Sequence, residues 1–544
     1  MRWLKDPSRD NEDKIPLSYR IARRFYRFLT NIWFREINIV DDENLPPEGG
    51  ILFITWHPSG LIDPMLMTAS LPGKLTTIAK HTLFKIPLLG RLLRASGVVP
   101  VERPGDSKDK QAARARNAKM LANMSHQIAH GGRVLIFPEG ATHADSNVRR
   151  VRSGAARILL HARREAIEKE LPEPQVVPIG LHYSESHTFR ERAAVVIERV
   201  MELNPIPPTV GDSFEQDRTD RIWIEGVTQA IDVELRRANL SKTTWRERTM
   251  IWKGRSLAYA EKKRMEGERL VKPSYAESVL GARRLRAGWE YMMTQRPEET
   301  QQLAEDCEQH FEALTRRGIS PYDVDSRPEK FSFFGYLKVL AIWIWALVWM
   351  FGLVTWSAIA GNYPPYKGNG LLSWVMKKQK IDTSVIGTIK VLSAVVFFPM
   401  WWMVASAIMT WSLLSTASPI NSFLISHWLL EYITYLPALG IFLVFLLWWP
   451  LSARLHLKLY ARLVRSSRDL KRWKIWKDQD TNWDELVQVQ RELASRLVQI
   501  GAGLVLPGDS DWTDPPSGHD DVVSVCLRSG ESGKVLNSNA QGFE

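Results

Sequence analysis

Between Val391 and Ala453 the chain carries one formal charge, Glu431. No water-soluble domain leaves such a run on its surface, and it is too long for one bilayer crossing, which takes about 20 residues. It divides at the polar turn STASPINS, residues 415–422, predicting two transmembrane helices over about 391–413 and 429–450. Lys367, Lys377, Lys378, Lys380 and Lys390 precede the pair, Arg454, Lys458, Arg462 and Arg465 follow it, and the turn holds no basic residue. Basic flanks stay on the cytoplasmic side, so both outer ends are expected there and the turn on the other face. A second uncharged run, Val339–Tyr366, has basic residues on both sides, from Arg316 to Lys338 and again at Lys367. A single span would put one of these flanks outside. Residues 331–366 are therefore read as a re-entrant or membrane segment with GNYPPY as its exit.

The formal net charge of +12 and pI near 9.5 call for an anionic partner. Twenty-two tryptophans favour a lipid bilayer, because Trp gathers at membrane interfaces. No nucleic-acid motif is present, and nucleic acid is not expected as a partner. The two cysteines, Cys307 and Cys526, cannot form a disulfide framework and have no metal-ligand spacing. His143, His182 and His187 lack a matching Cys, His or Glu set, so no metal is expected. The charged N-terminus lacks the apolar core of a secretory signal.

Residues 1–14 read as disordered. Residues 15–37 set aromatic and aliphatic residues among arginines at helical spacing, the pattern of an amphipathic helix in the headgroup layer, although an ordinary packed helix has the same periodicity. Residues 38–205 alternate strand-like runs (50–56, 75–79, 97–102, 133–137, 175–182, 193–199) with helical ones (63–71, 83–95, 108–129, 153–169). That alternation predicts an α/β domain with a mostly parallel sheet. A charged region of exposed or loosely packed helices is expected at 206–330, cytoplasmic helices at 454–500, and a disordered polar tail at 501–544.

Two islands in the α/β domain carry chemistry. WHPSGLIDP, Trp56–Pro64, places His57 and Asp63 just beyond an apolar strand. A neutral imidazole there can take a proton from a hydroxyl while a carboxylate fixes its tautomer and steadies the imidazolium. IFPEGATH, Ile136–His143, is a second strand running into a Pro-Glu-Gly turn. Between them GVVPVERPGD ends a strand at Arg103, whose planar guanidinium suits a phosphate. VVPIGLHY, Val176–Tyr183, follows with Pro178 inside it.

These four blocks resemble the glycerolipid acyltransferase family: a His…Asp motif, an arginine after a strand, a PEG turn and a proline-bearing strand. The resemblance covers about residues 37–200, and Phe189–Pro205 is similar to that domain's closing strand. It departs in two respects. Five residues separate His57 from Asp63 where four are usual, with Gly60 free to absorb the extra one, and Trp56 replaces the usual asparagine.

The resemblance implies transfer of a fatty acyl group from acyl-CoA or an acyl-carrier protein, a co-substrate rather than a cofactor. The acceptor would be a hydroxyl of glycerol-3-phosphate, with dihydroxyacetone phosphate or lysophosphatidate as close alternatives. It puts Glu139 and Gly140 in the acceptor site, Glu139 through an acceptor hydroxyl or by organising the loop. Arg149, Arg150 and Arg152, ahead of a helix start at Ser153, are candidates to share the phosphate with Arg103. Pro178 is expected to shape the acyl pocket or its strand edge. No Gly-x-Ser-x-Gly elbow offers a covalent route, so direct attack by the acceptor is the simpler course. The expected protein is an integral membrane acyltransferase of phospholipid synthesis with its site on the cytoplasmic face. The alternative is a non-catalytic membrane scaffold that binds lipid through the same fold.

Overall fold

The computed structural model describes residues 15–102, 110–185, 187–209, 212–267, 272–324, 333–350, 353–477, 482–501 and 503–528. The chain divides into two compact units. The first comprises residues 1–314, 383–387 and 490–544; the second comprises 315–382 and 388–489.

The first unit is built on a seven-stranded sheet. Its elements run α1 (Leu17–Trp33), β1 (Phe34–Val40), β2 (Ile51–Ile54), α2 (Ile62–Ser70), β3 (Leu75–Lys80), α3 (Leu89–Ala95), β4 (Val98–Val101), α4 (Lys110–Ala129), β5 (Arg133–Ile136), α5 (Gly154–Glu168), β6 (Gln175–Tyr183) and β7 (Glu191–Ile197). The spatial order is β1-β7-β6-β2-β5-β3-β4, parallel throughout except where β6 meets β7. Every residue of β2 is buried, as expected for a strand covered on both faces. The mostly parallel α/β sheet inferred from strand–helix alternation is the one observed.

One strand was hidden. The expected helix over 15–37 stops at Trp33, and FREINIV, with β-branched Ile37, Ile39 and Val40, pairs with β7 as an edge strand. The helix is also packed, burying Tyr19, Ala22, Arg23, Tyr26, Thr30 and Trp33. Yet Leu17, Ile21, Phe28 and Ile32 stand exposed on its opposite face, where a helix of a soluble domain is ordinarily polar. The expected helix 83–95 is shortened to α3, because Pro87 follows a 3-10 turn at His81–Lys85.

The charged region is better packed than its composition suggested. It forms α6 (Ser213–Ala238), α7 (Trp245–Met265), α8 (Tyr275–Gln295) and α9 (Pro297–Arg317). Trp223, Val227, Ile231 and Leu235, four residues apart, form a buried stripe along α6. Capping boxes start α7 at Thr244/Glu247 and α8 at Ser274/Glu277. The description as exposed or loosely packed helices is thus corrected.

The second unit holds α10 (Phe333–Met350), α11 (Leu353–Lys378), α12 (Thr383–Leu414), α13 (Asn421–Ile425), α14 (Trp428–Ile433) and α15 (Ala438–Lys477); α16 (Trp483–Gly501) follows. Thr383–Leu414 and Ala438–Lys458 are long and apolar enough to cross a membrane. The second begins at Ala438 rather than near 429, because α13 and α14 lengthen the connection. Of the expected membrane segment 331–366, residues 333–350 form α10 and residues 353–366 begin α11, with Pro364 and Pro365 inside it. Asn362 ties α11 to the span pair, donating to the Trp449 carbonyl at 3.1 Å and accepting from Trp402 Nε1 at 3.1 Å.

Residues 503–528 of the expected disordered tail are ordered; residues 502 and 529–544, like 1–14, lie outside the described residues. Within it β8 (Leu504–Val505) pairs with β9 (Cys526–Leu527). The acidic residues that made the tail look solvated are partners for arginines of the first unit. Asp521, buried, takes Arg283 Nε at 2.8 Å and Arg237 Nη1 at 3.4 Å.

Candidate active site

The site forms where β2 and β5 end side by side. Thr55 Oγ1 donates to the Ile179 carbonyl at 2.9 Å, and Trp56 Nε1 donates to the Leu181 carbonyl at 2.8 Å. Trp56 therefore fastens the histidine loop to β6, and the Arg248 guanidinium lies 5.2 Å from its ring. Beyond it, Gly60 turns at φ +57° and α2 begins, with Asp63 in its first turn. His57 Nδ1 lies 2.8 Å from Asp63 Oδ2.

Asp63 is completely buried. Its Oδ2 also accepts the Ser59 N–H at 2.8 Å, and its Oδ1 accepts the Tyr183 hydroxyl at 2.8 Å. An ionised carboxylate only accepts, so Nδ1 carries the ring proton and Nε2 presents a lone pair. The imidazole stacks on Phe137 at 4.0 Å between centroids and keeps 17% of its side-chain surface exposed. A ring protonated at Nδ1 is the tautomer a general base would need.

The Pro-Glu-Gly turn is joined to the histidine loop. Glu139, buried, accepts the His57 N–H at 2.9 Å through Oε2. Its Oε1 accepts from His143 Nε2 at 2.6 Å and from the Arg149 N–H at 2.8 Å. The His143 N–H donates to the His57 carbonyl at 3.2 Å. Gly140 turns at φ +71°, and a Cβ there would sit 3.2 Å from Arg152 Nε.

Residues 36–182 match the family model described as Acyltransferase. Over residues 36–182 the chain carries an acyltransferase domain. It is 28% identical over 206 residues to a 1-acyl-sn-glycerol-3-phosphate acyltransferase of Chlamydomonas reinhardtii, covering 36% of this chain and 58% of that one. A 1-acyl-sn-glycerol-3-phosphate acyltransferase of Borreliella burgdorferi is 25% identical over 24% of this chain and 49% of its own length. The chloroplastic enzyme of that name from Arabidopsis thaliana is 29% identical over 24% and 37% respectively. The chain thus spans about half the length, or less, of these curated relatives. Among solved structures, the 1-acyl-sn-glycerophosphate (LPA) acyltransferase PlsC from Thermotoga maritima aligns with 40% of this chain and 79% of its own, at 17% identity and a TM-score of 0.26.

Within the acyltransferase domain the expected site residues separate. His57, Asp63, Glu139 and Gly140 lie together. Arg103 falls outside the described residues. Arg149 is paired, its Nε 2.6 Å from Asp145 Oδ2, and the guanidinium holds the Asp145 carboxyl below its ordinary pKa. Arg150 is exposed. Arg152 is also exposed and lies over Gly140, just before α5, with no ion-pair partner among the described residues. Pro178 is buried in an interior strand, beside Ile54 of β2, so the strand-edge reading is corrected. The residue that the sequence reading passed over is Tyr183, quoted in the fourth block but given no role. Its position at the C-terminal end of a sheet strand was the available signal.

One surface group, His126, His130 and Glu165, brings three possible metal-ligand atoms together. Glu165 Oε1 already takes His126 Nδ1 at 2.6 Å and Lys169 Nζ at 2.9 Å.

Proposed function

We propose that this protein transfers a fatty acyl group from an acyl thioester to a hydroxyl of a phosphorylated glycerol backbone, at a membrane surface. The observation that carries the reading is His57, fixed by the buried Asp63 at 2.8 Å with its other ring nitrogen available. The acceptor hydroxyl would give its proton to Nε2 as its oxygen attacks the thioester carbonyl. Asp63 would stabilise the imidazolium, and the proton would pass to the departing thiolate. A positioned base of this kind contributes on the order of 10²–10⁴-fold.

A phosphate on the acceptor fits Arg152 beside the N-terminus of α5, where cation and helix end both favour an anion. Arg103, Arg149 and Arg150 remain candidates for the same phosphate. The names of the three relatives favour a monoacylated acceptor, 1-acylglycerol-3-phosphate, over glycerol-3-phosphate or dihydroxyacetone phosphate. An amphipathic product belongs in a bilayer. The exposed apolar face of α1 and the two apolar helices suit that surface. The basic flanks of the helix pair favour cytoplasmic outer ends, which supports a site on the cytoplasmic side.

The test offers labelled palmitoyl-CoA to membranes containing the wild type or His57→Ala, with each acceptor in turn. Product from 1-acylglycerol-3-phosphate that disappears in the variant is the expected result. Product from glycerol-3-phosphate alone would change the acceptor. Turnover unaffected by the substitution would remove His57 as the base, and no turnover with any acceptor would favour the lipid-binding scaffold.

A further inference from the structure

The fourth sequence block closes the site through its tyrosine rather than its proline. Tyr183 is the last residue of β6, and its ring stacks on Phe34 of β1 at 5.6 Å with 13° between planes. Its hydroxyl points at the far oxygen of Asp63, donating to Oδ1 at 2.8 Å. The near oxygen is engaged by His57 Nδ1 and the Ser59 N–H. Without Tyr183, a fully buried carboxylate would have both of these donors on one oxygen and no described partner on the other. A buried charge is tolerated only when its acceptor positions are filled, and unequal filling leaves the group free to rotate.

We propose that Tyr183 is a positioning residue of the acyl transfer, holding the Asp63 carboxylate turned so that Oδ2 faces His57. The tyrosine touches neither substrate nor the reacting proton; it acts through the carboxylate. The inference rests on His57 being the base. Burial, then the negative charge of Asp63, push the Tyr183 pKa well above its ordinary value, so the phenol keeps its proton and remains a donor. The other titratable group acting on it is Tyr275, itself pushed up to above the ordinary range by burial. The contact joins residues 120 apart in sequence, linking the end of β6 to the start of α2. It gives the α2 carboxylate a fixed reference on the sheet.

Tyr183→Phe keeps the ring on Phe34 and removes only the hydroxyl. The expected result is a kcat about tenfold lower, the scale of one hydrogen bond to a charge, with the KM of acceptor and donor unchanged within about twofold. In an Asp63→Asn background the same change should have little further effect, because its route through the carboxylate is already lost. Phe34→Leu, which removes the stacking partner and leaves the hydroxyl, should retain kcat within about threefold. The proposal fails if Tyr183→Phe keeps full kcat or raises acceptor KM instead. It also fails if the loss is undiminished in the Asp63→Asn background, or if Phe34→Leu loses as much as Tyr183→Phe. Loss of activity in His57→Ala beside a fully active Tyr183→Phe would sink this inference alone. An active His57→Ala would sink the general-base reading on which it stands.

Discussion

Glu139 grips His57 by its main chain and not by its ring: Oε2 accepts the His57 N–H at 2.9 Å, while Oε1 holds His143 Nε2 at 2.6 Å. The Asp145 N–H donates to His143 Nδ1 at 3.2 Å, so the proton on the His143 ring sits at Nε2 and is given to Glu139. Both carboxylate oxygens are occupied in fastening the histidine loop to the Pro-Glu-Gly turn. Of the two roles considered for Glu139, loop organisation fits this geometry.

Glu139→Gln replaces one acceptor oxygen with an amide donor that faces another N–H. The expected outcome is a loss of about 1–3 kcal/mol of stability, from a buried group left unsatisfied, together with a fall in kcat. Acceptor KM should change little. Steady-state kinetics over both substrates check it. A rise in acceptor KM at constant kcat would return Glu139 to the acceptor.

The three arginines before α5 should behave differently. Arg152 lies over Gly140 without an ion-pair partner among the described residues, whereas Arg149 is held by Asp145. If Arg152 binds the acceptor phosphate, Arg152→Ala should raise acceptor KM by about tenfold to a hundredfold, the value of a charge-assisted bond. Arg149→Ala breaks an exposed pair worth about 0–1 kcal/mol and should alter KM by less than about fivefold. Equal effects of the two would mean that the phosphate is held diffusely by the whole basic run.

Much of this arrangement was legible before any coordinates. Buried parallel strands read as short unbroken apolar runs, so ILFI and RVLI stood out, and each led directly into a motif. β1 did not stand out, because no glycine or proline separates Trp33 from Phe34 and its burial is uneven. The partner of Asp63 was illegible for a different reason. His57 is close in sequence, but Tyr183 is brought in by sheet pairing, for which local spacing has no signal. The same applies to residues 503–528, whose acidic character suggested solvation until the arginines of α6 and α8 were found opposite them.

That last pairing carries a stability prediction. Arg237 and Arg283 converge on Glu198 and Asp521, and Arg237 also binds Glu234. The carboxylates hold both guanidinium pKa values above the ordinary one, and the arginines, against the cost of burial, hold Asp521 below its own. Asp521→Asn removes the carboxylate shared by Arg237 and Arg283 and leaves Arg283 to lean on Glu198, at a cost of about 1–3 kcal/mol, the range for lost hydrogen bonds to a charged group. Chemical denaturation followed by tryptophan fluorescence in detergent should show an early first transition. Truncation after residue 528 should leave that transition in place, and truncation after 502 should lose it. A truncation at 502 with unchanged stability would mean that the segment is merely laid on the surface.

His182 gives the domain an acid sensitivity separate from catalysis. Its ring is buried on β6 beside Trp252, and its pKa is pushed down to about 3, first by burial and then by the positive charge of Arg248, with Arg283 adding to the effect. The folded protein therefore favours neutral His182, while the unfolded chain takes up a proton below its ordinary value near 6.5. The stability is fully present above that pH and is lost as pH falls from about 6.5 toward 3, at about 1.4 kcal/mol per pH unit. Asp521, whose pKa is held below the ordinary carboxylate value, adds its own loss only at lower pH, whereas Glu234 and Asp41, whose pKa values burial raises, take up protons more readily in the folded state and offset part of the loss. His310, also pushed down by burial, contributes in the same interval and makes the comparison between variants the decisive one. The unfolding midpoint, read from tryptophan fluorescence, should decline steeply with acid in the wild type and more gently in His182→Gln, whose side chain cannot titrate. Parallel curves for the two proteins would assign the acid sensitivity elsewhere.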